Sequence, residues 1–287
     1  MIRFDQYLER KASFMASRSQ LDKCSKVLLG IPMDSTTSFR PGTRHAPYRV
    51  REVSEALEEY SVYQDCSLDD IAFYDAGDLI IPYGNVKESL QRIEQVAEAF
   101  LLLDKKIFSI GGEHLVSYPI IKAYQRQYPS LCVIQMDAHA DLREEYLGET
   151  LSHATVMRRV LECIGDKNLF QLGIRSGTRE EFQYAARKSN LYINRFFDTV
   201  DEIKNTIQDR PVYISLDIDV LDPAFAPGTG TTEAGGITSR ELLRTLHALA
   251  DLNVVGFDMV EISPPYDQGD NTSILGAKMI REALLAY

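Results

Sequence analysis

From Lys26 onward the chain alternates short β-rich apolar runs with longer segments of helical spacing, and no other feature limits its possible folds as strongly. "KVLLGIP" reads as a strand and "PYRVREVSEALEEY" as a helix; "IAFYDAG" then precedes "NVKESLQRIEQVAEAFLLLDK". The order repeats through "KIFSIGG" and "VSYPIIKAYQRQYP", "LCVIQMD" and "SHATVMRRVLECIG", "LFQLGIR" and "REEFQYAARK", and "LYINRF" and "VDEIKNTIQDR". It closes with "VYISLDID" before "SRELLRTLHALADL" and "VVGFDMVEI" before "ILGAKMIREALLAY". Strands joined through helices of this length need right-handed crossovers. A largely parallel sheet of about eight strands, with helices on both faces, is therefore expected. A (β/α)8 barrel has the same strand count and a similar length, and order along the chain separates the two poorly.

The 287 residues suit one α/β domain, residues 1–287, able to bury a large core. A composition of 45% hydrophobic and 25% charged residues, without low-complexity tracts or internal repeats, is that of a globular protein. The net charge of -11 is spread along the chain, so it disfavours nucleic acid and would weakly attract a small cationic substrate. Cys24, Cys66, Cys132 and Cys163 form no CxxC pair, which predicts reduced thiols and a cytoplasmic location. The opening "MIRFDQYLERKASFMASRSQ" lacks the apolar core of a signal peptide, and no run of about 18 apolar residues offers a membrane span.

In either architecture, functional groups gather where strands end at their carboxyl edge. Four polar clusters fall there: "GGEH" after "KIFSI", "DAHAD" after "LCVIQM", "DID" closing "VYISL", and "EISPP" after "VGFDMV". The glycine-rich stretch from Asp222 to Gly236 is too long for a simple connection and reads as a functional loop. Alternate residues of an extended segment project to one side, so Asp137 with His139, and Asp217 with Asp219, can face a common point. With His114 and Asp141 they make four carboxylates and two imidazoles without a thiolate, a set suited to hard or borderline cations, Mn2+ above all. Four neighbouring carboxylates repel one another, and two divalent ions would relieve that cost. Such a pair activates water, so hydrolysis is the expected chemistry. No nucleophile elbow, P-loop or GxGxxG is present, and the diglycines Gly111-Gly112 and Gly235-Gly236 suit close backbone approach or tight turns.

Each piece also has a plainer explanation. DxHxD alone can be a solvated strand end with a satisfied histidine, and "DID" an acidic cap before a loop. His114 can simply start a helix, His153 can be an exposed first-turn residue behind the N-cap Ser152, and Glu261 can be a salt-bridged carboxylate at the core edge. His45 and His247 read as a loop residue and a helix-face residue. The pieces gain weight together, because three of the five histidines and all these carboxylates fall at predicted strand ends or beside them.

The motifs resemble the ureohydrolase family of arginases and agmatinases, and the agmatinase branch most closely. The resemblance runs from "GIPMDSTTSFRPGTRHAPYRVRE" through "YDAGDL", "SIGGEHLVSYP", "QMDAHADLRE", "LSHAT", "GIRSG" and "SLDIDVLDPAFAPGTGTTEAGGIT" to "DMVEISPPYD". It implies a three-layer α/β/α fold around an eight-stranded, mainly parallel sheet, and two Mn2+ ions per subunit, with Ni2+ or Co2+ as alternatives. By position, His114, Asp137, Asp141 and Asp217 would hold one ion, and Asp137, His139, Asp217 and Asp219 the other. Glu261 would pair with a substrate guanidinium, Asp141 would pass a proton to the departing amine, and His153 would transfer a proton or position substrate. Thr231 falls where a family threonine lines the metal pocket. The family also assembles into homotrimers or homohexamers.

Two departures weigh against arginine as substrate. Arg143 stands where arginases carry a carboxylate-binding asparagine, and "GETLSHAT" lacks their "SGN". Agmatine, with an ammonium tail, suits an acidic chain whose adjacent loop holds Glu144, Glu145 and Glu149. Arg143 can equally bind the carboxylate of 4-guanidinobutyrate, and a free-guanidine hydrolase or a metal-binding scaffold without turnover completes the alternatives.

Overall fold

The structure, a computed structural model, describes residues 4–287. Nine strands form one sheet: β1 (Leu8–Glu9), β2 (Lys26–Ile31), β3 (Phe73–Leu79), β4 (Lys106–Gly111), β5 (Cys132–Met136), β6 (Leu169–Leu172), β7 (Asn190–Tyr192), β8 (Pro211–Asp217) and β9 (Asn253–Val260). Their spatial order is β1-β3-β2-β4-β9-β8-β5-β6-β7. Eight strands are parallel; β1 adds a two-residue antiparallel edge, a ninth strand too short to leave a periodic signal. The sheet is open, with β1 and β7 at its edges, which decides against the barrel.

Among the described residues eight α-helices cover the two faces: α1 (Ala46–Ser54), α2 (Val86–Leu101), α3 (Ser117–Gln127), α4 (Val156–Ile164), α5 (Arg179–Lys188), α6 (Val200–Ile207), α7 (Ser239–Ala248) and α8 (Asn271–Ala286). Successive strand residues point to opposite faces, so the sheet divides the apolar interior in two. Leu28, Phe108, Ile134, Leu216 and Phe257 pack with α1, α6, α7 and α8. Val27, Ile107, Val133 and Tyr213 pack with α2, α3, α4 and α5. Burial on both faces explains why the inner strands are continuously apolar rather than alternating.

One segment departs from its expected form. The helix predicted for residues 47–60 ends at Ser54, whose hydroxyl donates to the Arg51 carbonyl (2.6 Å) and accepts from the Met15 N–H (3.0 Å). Two tight turns follow, and Tyr60–Ser61 pairs antiparallel with Cys66–Ser67.

The strand order places the site. The chain builds β2, β3 and β4 on one side, crosses over to lay down β5, β6 and β7, then returns to insert β8 and β9 between the halves. The carboxyl ends of β4, β9, β8 and β5 therefore adjoin at the switch between the two halves, where open α/β sheets leave a crevice.

Candidate metal centre and active site

Three of the four polar clusters meet in that crevice as ligand groups. His114 follows β4, Asp137, His139 and Asp141 follow β5, and Asp217 ends β8 with Asp219 two residues later. Asp137 and His114 group with Asp141, while Asp137 and Asp219 group with His139; within each group one donor atom per residue lies within 4.8 Å of the others. His114 Nδ1 sits 3.1 Å from Asp137 Oδ2 and 3.3 Å from both Asp141 Oδ2 and Asp217 Oδ2. His139 Nδ1 lies 2.8 Å from Asp219 Oδ2 and 3.7 Å from Asp137 Oδ1.

The structure brings each pair together for a local reason other than strand alternation. Neither pair lies on a continuing strand. Asp137 Oδ1 accepts the His139 N–H (2.6 Å), and Asp217 Oδ1 accepts the Asp219 N–H (2.9 Å), so each aspartate folds the chain into a turn that sends the next side chain back to the same place. Asp141 and Glu261 both hold left-handed backbones, at φ 51° and 67°. Such conformations cost about 1–3 kcal/mol for non-glycine residues and collect at functional sites. The first diglycine meets its expected need for close approach: a Cβ on Gly112 would fall 1.9 Å from the Met33 carbonyl oxygen.

These donors fit a pair of cations. Asp137 is fully buried and His114, Asp217 and Asp219 nearly so, and the buried His114 Nδ1 has no well-directed hydrogen-bond partner despite its three carboxylate neighbours. Burial, then Asp137, pushes Asp141 up to about 7; burial, then Asp219 and Asp137, drives Asp217 well above the usual carboxylate range. Burial works against protonation of His114 and His139 but is outweighed by the carboxylates around them, so both rings are held protonated. A cluster that gathers protons to balance its charge can exchange them for divalent ions.

A second layer, invisible as a motif, orients the ligands. His114 Nε2 lies 3.0 Å from Ser215 Oγ, which donates to Asp258 Oδ1 (2.8 Å), while the Tyr213 hydroxyl donates to Asp258 Oδ2 (2.8 Å). This chain leaves Nδ1 for a metal. Gln135 Nε2 donates to Asp137 Oδ2 (2.7 Å). The available sequence signal was a carboxylate inside an apolar strand, Asp258 in "VVGFDMV".

Above the ligands lies a cavity of about 240 Å³, lined in part by Asp141, Arg143, Tyr146, His153, Thr231 and Glu261. Glu261 Oε1 accepts the His114 N–H (2.7 Å), and burial, with Glu113 and Asp219 adding to it, raises its carboxyl to about 8. No ion pair among the described residues involves it, so the salt-bridge explanation fails. His153 is half-buried rather than exposed. Its Nδ1 lies 2.8 Å from the Thr36 carbonyl and its Nε2 3.3 Å from Ser38 Oγ, and burial lowers its pKa. Arg143 stands 3.7 Å from Glu181 and 4.9 Å over the Tyr146 ring. Glu144, Glu145 and Glu149 are exposed and do not line this cavity, contrary to the part in tail binding expected of them. The loop carrying Thr231 is pinned at both ends. Asp222 Oδ2 accepts from Gly235 N and Gly236 N, and Arg175 donates to the carbonyls of Asp219 (2.7 Å) and Glu233 (2.7 Å). His45 and His247 lie outside the cavity, as expected.

A buried set of carboxylates and imidazoles at the switch point of an open parallel sheet, facing a pocket with an unpaired acid, defines the class of metal-dependent α/β hydrolases. The chain belongs to the arginase family, which matches residues 25–286. It is 49% identical to an agmatinase from Halalkalibacterium halodurans over the full length of both chains. A guanidinobutyrase from Pseudomonas aeruginosa is 32% identical, covering 93% of this chain and 88% of its own. The solved agmatine ureohydrolase of Thermoplasma volcanium superposes with a TM-score of 0.88 at 32% identity, covering 97% of this chain and 94% of its own. Among the described residues no helix is long and apolar enough to cross a membrane, and all four cysteines are free.

Proposed function

We propose that this hydrolase acts on agmatine, releasing urea and putrescine and so feeding polyamine synthesis. Glu261 carries the reading: a buried carboxyl without a basic partner, held on a left-handed backbone beside the ligand cluster, is a receptor for a guanidinium. The agmatinase relative at 49% identity supports agmatine as the source of that guanidinium.

His114, Asp137, Asp141 and Asp217 would hold one divalent cation and Asp137, His139, Asp217 and Asp219 the second, taken here as Mn2+ with Ni2+ or Co2+ as substitutes. Bound there, the two ions supply Lewis acidity and a water deprotonated at neutral pH. The protein supplies the rest. Glu261 orients the guanidino carbon over the ligand cluster. Asp141 lines the cavity beside the other ligands and would relay a proton to the departing amine. His153, whose pKa burial lowers, lines the cavity with Nε2 3.3 Å from Ser38 Oγ and would serve there in proton transfer. Thr231 bounds the pocket from the pinned loop. A single domain acting as a homotrimer or homohexamer in the cytoplasm completes the reading.

Arg143 sustains a second one. Its guanidinium lines the cavity and would draw a carboxylate tail, as in 4-guanidinobutyrate, although Glu181 and Tyr146 already engage it. Urea release from agmatine, arginine, 4-guanidinobutyrate and guanidine, compared by kcat/KM, separates the two. Agmatine is expected to lead, whereas preference for a carboxylated substrate would overturn the agmatine assignment and leave the metal chemistry standing.

A further inference from the structure

We infer that Glu113, the residue before ligand His114, positions the His153 ring for proton transfer by way of Thr36. The inference rests on the role proposed above for His153. Glu113 is fully buried and touches no basic group among the described residues. One of its oxygens, Oε2, accepts from Thr36 N (2.9 Å), Thr36 Oγ1 (2.7 Å) and Thr37 Oγ1 (3.4 Å), while Oε1 is buried without a partner. Burying a carboxyl is costly, and a purely structural contact with two threonines could be made by an uncharged side chain.

What Glu113 holds is the other half of the His153 environment. The Thr36 carbonyl faces His153 Nδ1 (2.8 Å), and Thr36 Oγ1 accepts the His153 backbone N–H (3.0 Å) while donating to Glu113. With Nδ1–H donating to that carbonyl, Nε2 carries the lone pair at the cavity wall, 3.3 Å from Ser38 Oγ. Glu113 and His153 thus share one threonine. A backbone bond from Glu113 N to the Met33 carbonyl (2.7 Å) presses the same loop against the metal-ligand segment. Glu113 does not line the cavity and is a positioning residue rather than a catalytic one.

A double-mutant cycle tests this with Mn2+-loaded protein and agmatine. Glu113→Ala is expected to lower kcat on the order of 10–100-fold, with KM and metal content nearly unchanged, since small misplacement of a catalytic group has that cost. In a His153→Ala background the same change should alter kcat less than about twofold, because its route of action is gone. Glu113→Gln, which keeps an acceptor oxygen, should restore most of the rate. Equal fold losses in both backgrounds, or loss of metal from Glu113→Ala, would overturn the inference. If Glu113→Ala does not fold, Thr36→Val breaks the same link and carries the same expectation. Nitrogen NMR of the His153 ring gives an answer independent of turnover: the Nδ1–H form should dominate in the parent and be lost in Glu113→Ala, and an unchanged tautomer would count against the relay. A parent protein that releases no urea would instead overturn the proposed function.

Discussion

Two of the buried charge clusters in this molecule differ in one respect. Beside α1, Arg51 is 1% exposed between Asp75 and Asp78, themselves 0% and 6% exposed. Its guanidinium donates to both Asp75 oxygens (2.8 and 2.9 Å), to Asp78, and to the carbonyls of Pro47 (3.0 Å) and Gly77 (3.0 Å). Every donor has a partner and the cluster is closed. At the switch point four carboxylates meet two imidazoles with no Lys or Arg among the described residues paired to them, and one imidazole nitrogen lacks a directed partner. That cluster is open. Both are largely withdrawn from water, so burial alone does not mark function; an unbalanced donor set does.

The comparison breaks most visibly at Asp137. Asp137→Asn should abolish urea release and drop metal content well below that of the parent by elemental analysis, because Asp137 belongs to both ligand groups. Full activity in that variant would contradict the open-cluster account. At the closed cluster, Arg51→Leu strands two buried aspartates and should cost about 3–5 kcal/mol in denaturant unfolding. Any folded fraction should still bind metal, since Arg51 lies away from the ligands.

Much of this contrast could be read in advance, but not all of it. The β–α alternation showed the eight parallel strands and their burial because most of them are apolar along much of their length. It could not show the strand order, since sheet and barrel share the same local pattern. The six candidate ligands stood out as polar residues at apolar strand ends. Glu113, Ser215 and Asp258 did not, because their work is defined by what touches them in space. The acids Glu144, Glu145 and Glu149 misled for the opposite reason: adjacency in sequence gave no direction to their side chains.

The support behind the open cluster should be measurable as a smaller loss. Asp258→Asn weakens the chain through Ser215 to His114 and should lower metal affinity about 10–100-fold, read by calorimetric titration. Filling the cluster should also stabilise the fold. Cation at a hundredfold excess over Kd adds about 2.7 kcal/mol per site, and a chelator should reverse the rise in Tm.

The smallest effect belongs to a third, closed site. Burial would raise the Glu282 carboxyl, but His247, Arg281, Gln64 and Ser61 outweigh it and hold its pKa below the usual glutamate range. A carboxyl depressed in the folded state contributes stability above its unfolded pKa of about 4.3 and loses it as pH falls. Unfolding free energy should therefore drop from pH 5 downward, and Glu282→Gln should flatten that slope while leaving metal content unchanged.

The most direct test of an open cluster is to count what fills it. Protein equilibrated with Mn2+ and freed of unbound ion should carry two ions per chain by elemental analysis. A protein that retains none, yet still releases urea from agmatine at the same rate, would contradict the account.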